Sequence, residues 1–219
     1  MPHTVRVTFH GIGPTSREVD SGERGVWLET ASFERALDAI ASAPRREITF
    51  DDGNTSDLEI ALPRLVERGM KATFFVCAGR IGESSFLDVR GMQQLIEAGM
   101  TIGSHGMDHV PWRGLDAERL RVELAESRSR LEDALGVAVD DAACPFGSYD
   151  RTVLREARRA GYRRVFTSDG IGPPIGGWLY PRTTITEEVL SSGRMPGLVS
   201  PSFLGRAECA ARALLKSWR

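Results

Sequence analysis

The 219-residue sequence lacks the features that mark membrane proteins and nucleic-acid-binding proteins. No apolar run approaches the roughly 18 residues that a transmembrane helix needs, so we expect no membrane-spanning segment. The 28 lysines and arginines are balanced by 30 acidic residues, which gives a net charge of −2. Without an excess of positive charge, nucleic acid is not an expected partner.

Cysteine is scarce, and no leader segment is recognisable. Cys77, Cys144 and Cys209 lie far apart and form no CxxC pair, which excludes a disulfide framework and is typical of a reducing compartment. The residues that follow Met1 contain no apolar core of a signal peptide. On these grounds the sequence predicts a cytoplasmic protein.

What the sequence does contain is a repeated unit of helix and strand. Four helical patterns end at a glycine that precedes an apolar residue, at Gly69, Gly99, Gly136 and Gly161. A short run of strand-forming residues follows each glycine. This alternation predicts βα units and a mostly parallel sheet, either a barrel or a doubly wound sheet. In both architectures, functional side chains gather at the carboxyl ends of the strands.

Three polar clusters follow predicted strands. Asp51 and Asp52 come directly after an apolar strand, and His105 and His109 are one helical turn apart, so that both imidazoles can reach one ion. The third cluster, residues 144–150, contains a Pro-Phe-Gly turn. Taken singly, each cluster could be an ordinary turn or, for the second, a pair of surface histidines.

Together the clusters resemble the polysaccharide deacetylase family, carbohydrate esterase family 4. The matching segments are Thr-Phe-Asp-Asp-Gly at 49–53, Ser-His-x-x-x-His at 104–109 and Pro-Phe-Gly-x-Tyr at 145–149. The resemblance implies that residues 1–219 form a single catalytic domain with the fold of that family, a distorted, incomplete (β/α)7-type barrel.

The resemblance also implies roles for residues of the first two segments. Asp52, His105 and His109 would bind a divalent metal ion, usually zinc, with cobalt, manganese or nickel as alternatives. Asp51 would be the catalytic base. Three nitrogen and oxygen ligands leave an open position, as a catalytic zinc site requires. A carboxylate beside a ligand can take a proton from water.

The sequence departs from the family pattern in two ways. The arginine that many members carry two residues before the proline of the third segment is Ala143 here, and Arg182 is a candidate replacement. The late histidine that supplies the general acid is missing, because no histidine follows His109. His10, at the end of the first predicted strand, resembles the acid of a circularly permuted subgroup found among exopolysaccharide de-N-acetylases. His3 precedes that strand and is expected to be a surface residue.

The resemblance predicts hydrolysis of an N-acetyl group on an amino sugar of a glycan or glycan precursor. His10 would protonate the leaving amine, and the backbone N–H of Phe146 would stabilise the oxyanion. Asp169, after a later strand, could orient His10. Further residues expected to contact the carbohydrate are Pro145, Tyr149 and Trp178.

Three alternatives remain open at the level of the sequence. The chain could be another C–N hydrolase on the same scaffold, such as a deformylase or an imidase-like enzyme. It could be an inert, metal-containing glycan-binding domain, although a binder has no use for the base Asp51. It could contain a purely structural metal site, although structural zinc normally has four protein ligands and only three are visible here.

Overall fold

The computed structural model describes residues 4–15, 17–19 and 21–193, together with Ala211, Leu215 and Lys216. His3 and Cys209, which the sequence analysis singled out, lie outside the described residues. In the described part of the chain, every helix is too short or too polar to cross a membrane.

Eight parallel strands form one sheet, in which the first seven follow one another in chain order. The strands are β1 (Val5–Phe9), β2 (Arg46–Phe50), β3 (Ala72–Val76), β4 (Thr101–Ser104), β5 (Asp141–Ala143), β6 (Arg164–Thr167), β7 (Leu179–Pro181) and β8 (Thr183–Thr184). The last strand, β8, pairs with the first. This order is that of a barrel and excludes the doubly wound alternative, in which the strand order reverses.

The barrel closes through one extended stretch, residues 179–184. Its first part, β7, pairs with β6, and its second part, β8, pairs with β1. Arg182 alone separates the two parts, so the sheet has one seam where the strand changes partner. Counted as one broken strand, β7 and β8 make the barrel seven-stranded. The prediction of a distorted, incomplete (β/α)7-type barrel is confirmed.

Helices follow most of the strands, as the glycine pattern predicts. They are α1 (Ser21–Arg24), α2 (Thr30–Ala41), α3 (Leu62–Glu67), α4 (Val89–Glu97), α5 (Ala117–Arg121), α6 (Ser127–Leu135), α7 (Arg151–Arg159) and α8 (Glu187–Ser191). A π-helical turn, Asp57–Ala61, precedes α3, and a second one, Val122–Glu126, joins α5 to α6. Short 3₁₀ turns lie at Ala78–Arg80 and Pro145–Gly147.

Alternate side chains of the strands build two separate layers. Phe9, Phe50 and Phe74 stack on neighbouring strands, with ring centroids 5.4 Å and 4.6 Å apart. Phe33 of α2 packs edge-on against Phe9 with its centroid 5.0 Å away, so these rings form the core between the barrel and its helices.

The other layer fills the interior of the barrel. Phe75 and Phe166 are buried there with their ring centroids 5.1 Å apart, and the guanidinium of Arg182 lies 5.2 Å from the first ring. Arg182 also hydrogen-bonds Thr8 of β1 and Thr49 of β2. A buried cation therefore occupies the barrel interior directly below the carboxyl ends of the strands.

Candidate active site

The carboxyl ends of β1, β2 and β4 bring the histidines and the two aspartates of the sequence motifs together. His10 follows β1, Asp51 and Asp52 follow β2, and His105 begins the loop after β4. Asp52 and His109 have left-handed backbones, with φ of +80° and +55°. Such conformations cost a non-glycine residue free energy and persist where the surrounding structure enforces them.

Asp52, His105 and His109 form a group that fits a metal ion. One ligand atom from each lies within 4.8 Å of the others. The Nε2 atoms of His109 and His105 are 3.1 Å and 3.6 Å from Oδ1 of Asp52. That buried oxygen nevertheless makes no hydrogen bond with the described residues. One carboxylate oxygen and two imidazole nitrogens that converge without hydrogen bonding are the donor set of a zinc-type centre.

The protonation states of these residues suit ligation. Nδ1 of His105 lies 2.9 Å from the carbonyl oxygen of Ala143, which leaves Nε2 to face Asp52. Burial lowers the pKa of His105 to about 4, so its imidazole is neutral at neutral pH. Burial alone would raise the pKa of Asp52, but contact with His109 and the charges of the surrounding histidines outweigh it and hold that pKa below its ordinary value.

Asp51 has a different partner from its neighbour. Oδ1 and Oδ2 of Asp51 accept hydrogen bonds of 2.7 Å and 2.8 Å from the two terminal nitrogens of Arg182. Both residues are buried. Burial would raise the pKa of Asp51, but the charge and hydrogen bonds of Arg182, together with the nearby His105 and His10, outweigh it and hold that pKa below its ordinary value, so the group stays ionised. The sequence candidate Arg182 is thus placed against the predicted base, in a bidentate pair that fixes the carboxylate.

His10 also lies near Asp51. Its Nε2 is 4.0 Å from Oδ2 of Asp51, and its Nδ1 is buried without a hydrogen-bond partner among the described residues. Asp169 accepts hydrogen bonds from Tyr149 Oη, Thr167 Oγ1 and Lys216 Nζ at 2.6–2.8 Å. The expectation that Asp169 orients His10 is therefore wrong.

The third sequence segment supplies one side chain at the surface of the site and not three. Phe146 has a φ of +57°, is 67% exposed, and packs against the ring of His109 at a centroid distance of 4.7 Å. Pro145 is buried, and Tyr149 is buried with its hydroxyl on Asp169. We therefore correct the expectation that Pro145 and Tyr149 contact the carbohydrate, because their packing supports the turn from inside.

Trp178 also requires correction. It directly precedes β7 and so lies at the amino-terminal edge of the sheet, where its carbonyl accepts a hydrogen bond from the N–H of Val165. The guanidinium of Arg158 covers its ring at 4.1 Å. The site lies at the carboxyl edge, so Trp178 cannot serve it as a sugar-stacking residue.

A cleft of about 600 Å³ opens above the site, which is within the usual range for ligand pockets. Its floor includes His10, Asp51, Asp52, His105, His109 and Phe146. Loops that follow β1 and β3 supply a wall in which Phe86 lies between the guanidinium groups of Arg17 and Arg80, at 5.0 Å and 4.9 Å. This wall was not predictable from the sequence, because these residues match no motif and meet only in the folded chain.

The sequence analysis also missed two buried acids near the site, each in a π-helical turn. Both carboxylate oxygens of Asp57 lack a hydrogen-bond partner among the described residues. Burial, and then the charges of Asp52 and Asp51, raise the pKa of Asp57 well above its ordinary value. Glu123 is buried and accepts a hydrogen bond from the loop that joins the two metal-site histidines. A sequence signal existed for Glu123, because it interrupts the apolar stripe of its helix beside Leu120 and Leu124.

Comparison with known proteins decides the family. The model of the polysaccharide deacetylase family matches residues 41–165, more than half of the chain. The chain belongs to the polysaccharide deacetylase family. This result confirms the resemblance that the three sequence segments carry. The match includes the Asp51–Asp52 pair and both metal-site histidines. His10 and Arg182 lie outside the matched residues.

Relatives of this deacetylase-family chain include YxkH of Bacillus subtilis, which is named for the same family. The two are 30% identical over 150 residues, which cover 68% of this chain and 54% of YxkH. Chitin deacetylase 1 of Cryptococcus neoformans var. grubii is 25% identical over 142 residues, 64% of this chain and 29% of that protein. The chain thus spans about half the length of YxkH and less of the fungal protein.

Solved structures share the fold over nearly the whole chain. The deacetylase PplD of Streptococcus pyogenes superimposes with a TM-score of 0.75 at 19% identity, covering 91% of this chain and 100% of its own. IcaB from Ammonifex degensii superimposes with a TM-score of 0.76 at 21% identity, covering 91% and 98%. At these identities the likeness establishes the fold alone.

Proposed function

We propose that the protein is a metal-dependent hydrolase that removes N-acetyl groups from the amino sugars of a glycan or glycan precursor. One observation carries the proposal: the Asp51–Arg182 pair lies beside the converging atoms of Asp52, His105 and His109 in one cleft. Family membership supports a carbohydrate substrate. A relative named for chitin makes N-acetylated chitooligosaccharides the first substrates to test.

Zinc is the ion that we propose for the site, with cobalt, manganese and nickel as candidates in its place. The donor set of one carboxylate and two imidazoles leaves room for water and substrate, as catalytic zinc sites do. Bound there, the ion would acidify a water molecule and polarise the acyl carbonyl. In the ionised state that their surroundings favour, Asp51, Asp52 and Arg182 together leave one negative charge, which favours a cation.

The protein's own residues then move two protons. Water adds across the C–N bond to give acetate and the free amine. Asp51 accepts a proton from the attacking water, while Arg182 holds its carboxylate in one orientation. Protonated His10, whose Nε2 lies 4.0 Å from Oδ2 of Asp51, donates a proton to the departing nitrogen. The N–H of Phe146 would donate to the oxyanion, beside the ring of His109.

Acetate release from chitooligosaccharides tests the proposal. The full chain is assayed as purified, after chelation, and after zinc, cobalt, manganese or nickel is added back. Deacetylation that chelation abolishes and a divalent ion restores is the expected result. Formate release from N-formylated sugars without acetate release from acetylated ones would favour a deformylase. Glycan binding without any acyl release would favour the inert binding domain.

A further inference from the structure

The loop that joins the two metal-site histidines is held in an unfavourable conformation. Gly106 adopts its φ of +84° without steric cost, but His109 has a φ of +55°, which is unfavourable for a residue with a Cβ atom. Such a backbone persists only where neighbouring groups enforce it. The histidines at the two ends of the loop line the cleft, and His109 is partly exposed. A group in the protein interior must therefore contact the loop and enforce this conformation.

That contact is made by Glu123. Oε2 of Glu123 accepts hydrogen bonds from the N–H of Met107, at 2.9 Å, and from Nε1 of Trp112, at 3.3 Å. Oε1 accepts from the N–H of Asp108 at 3.2 Å. The Glu123 side chain is fully buried, so these donors replace all of its contact with water. The acid and the loop thus satisfy each other's polar groups.

The π-helical turn between α5 and α6 aims the acid at the loop. Consecutive residues Glu123 and Leu124 are both buried in this turn. Ser127, which also hydrogen-bonds the backbone carbonyl of Glu123, lies 3.1 Å from the hydroxyl of Ser104 on β4. Single π turns inside helices are frequent at functional sites. Here Ser127, the first residue after the turn, connects α6 to β4, the strand that His105 follows.

We propose that Glu123 is a positioning residue that sets the metal affinity of the site. By holding the N–H groups of Met107 and Asp108, it keeps His109 in the conformation that faces Asp52 and His105. Gly106 accommodates this arrangement, because a Cβ atom there would overlap the Glu123 carboxylate. The inference rests on the metal site of the proposed function, but not on the substrate or the reaction.

The test measures zinc affinity of the full chain by competition with a chelator of known affinity. Glu123→Gln keeps the shape of the side chain but removes its charge and one acceptor oxygen. We expect zinc to bind about 10–100-fold more weakly, the usual effect of losing a group that supports ligands. Glu126→Gln is the matched control from the same π turn. Glu126 pairs with Arg121 away from the loop, and its loss should leave zinc affinity unchanged.

A second variant covers the case in which Glu123→Gln does not fold. Gly106→Ala leaves the charge of Glu123 in place but displaces its carboxylate and strains the backbone at φ +84°, and should also weaken zinc binding. Thermal unfolding of each variant, without metal and with zinc, separates an effect on the metal site from an effect on the stability of the fold. A smaller zinc-induced rise in melting temperature for both variants supports positioning.

The proposal is overturned if either folded variant binds zinc as tightly as the natural chain while its metal-free stability alone falls. Glu123 would then stabilise the fold and not the metal site. A natural chain that binds no zinc or other divalent ion overturns it as well. If the natural chain binds zinc but releases no acetate, the proposed function is contradicted and the role of Glu123 is not. The zinc affinities of the variants and the natural chain can still be compared, because that comparison needs no reaction.

Discussion

Asp51 and Asp52 are chain neighbours that face different partners. Asp51 is paired with the permanent charge of Arg182, and Asp52 faces the imidazoles of His105 and His109. Two adjacent buried carboxylates would repel each other without such partners. Because the partners differ, the two acids can have separate chemical roles, and mutation can separate them.

Exchanging each aspartate for asparagine should produce different defects. Asp51→Asn should keep its zinc and lose roughly 10²–10⁴-fold in deacetylation rate, the usual effect of removing a positioned base. Asp52→Asn should instead lose zinc affinity, because a neutral amide is a poor ligand. Zinc content and acetate release, measured on the same samples, check both expectations. The reverse pattern would show that the two roles are exchanged.

His10 is the group that we expect to protonate the leaving amine. An amine leaves only when it is protonated, whereas an activated ester has a leaving group that needs no acid. His10→Ala should therefore keep full zinc content and lose most amide hydrolysis, but lose much less activity on a fluorogenic acetate ester. Parallel assays on both substrates make the comparison. Near-normal amide hydrolysis by this variant would contradict the assignment.

The raised pKa of Asp57 predicts that the stability of the fold depends on pH. The pKa of Asp57 in the folded state lies well above its ordinary value, so between these two pKa values the folded state holds a proton that the unfolded state has lost. The free energy of unfolding therefore falls as pH rises from the ordinary pKa to the raised one. Asp57→Asn removes this titration. In zinc-free protein, the free energy of unfolding of the variant relative to the natural chain should grow with pH above about 4, by up to about 1.4 kcal/mol per pH unit. Denaturant unfolding between pH 4 and pH 8 measures it, and a pH-independent difference would contradict the expectation.

At the residue scale, the sequence was informative where function depends on neighbours along the chain. The ligand set and Asp51 lie within two short segments, so the resemblance to the family could be recognised from the residues themselves. Asp169, Tyr149 and Trp178 were misjudged because their roles depend on burial and on partners far along the chain. Arg182 was recoverable only through resemblance, since 131 positions separate it from Asp51.

At the scale of elements, the glycine-terminated helices predicted a mostly parallel sheet, either a barrel or a doubly wound sheet, and all four glycines have positive φ. The place where the barrel closes was not predictable. Nothing in residues 179–184 indicates that one stretch pairs with β6 and then with β1. Strand pairing at a seam is decided by the packing of the whole sheet. The two π turns were equally invisible, because their apolar spacing resembles that of an ordinary helix.

A close approach of strands inside the barrel gives a prediction at this scale. Gly103 of β4 leaves room for the Phe75 ring, which a Cβ atom would approach to 2.5 Å. Gly103→Ala should therefore destabilise the fold by about 1–3 kcal/mol through overpacking. Gly25→Ala, with Gly22 O at 3.4 Å as its nearest contact, is the control and should change stability little. Equal unfolding midpoints for both variants would contradict this packing.

At the scale of the whole molecule, residues from early and late in the sequence meet around the candidate site. His10 comes from the first strand, and Lys216 comes from near the carboxyl terminus. Nζ of Lys216 donates hydrogen bonds to Oδ1 of Asp169, at 2.6 Å, and to the carbonyl of Gly147, at 3.0 Å. Gly147 follows Phe146 in the loop that borders the metal site. A distant segment therefore neutralises a buried acid and holds the backbone of that loop.

Removing the charge of Lys216 should loosen the loop without affecting the metal. Lys216→Met keeps an apolar stem but leaves the Asp169 charge without its cation and the Gly147 carbonyl without this donor. We expect unchanged zinc affinity, a loss of about 1–3 kcal/mol in stability, and faster amide hydrogen exchange across residues 144–149. The kcat for deacetylation should fall roughly 10-fold, a cost of about 1.4 kcal/mol in the transition state, because the N–H of Phe146 is less well placed.

Two further variants make this last prediction specific. Lys216→Arg retains the charge and should recover most of the kcat and of the slow exchange. The chain has one other lysine, Lys71, whose Nζ donates to the carbonyl of Ala98 at an exposed position. Lys71→Met is therefore the matched control and should leave exchange in residues 144–149 unchanged. If Lys216→Met exchanges and turns over like the natural chain, the carboxyl-terminal segment does not hold the loop, and the order around Phe146 comes from the barrel alone.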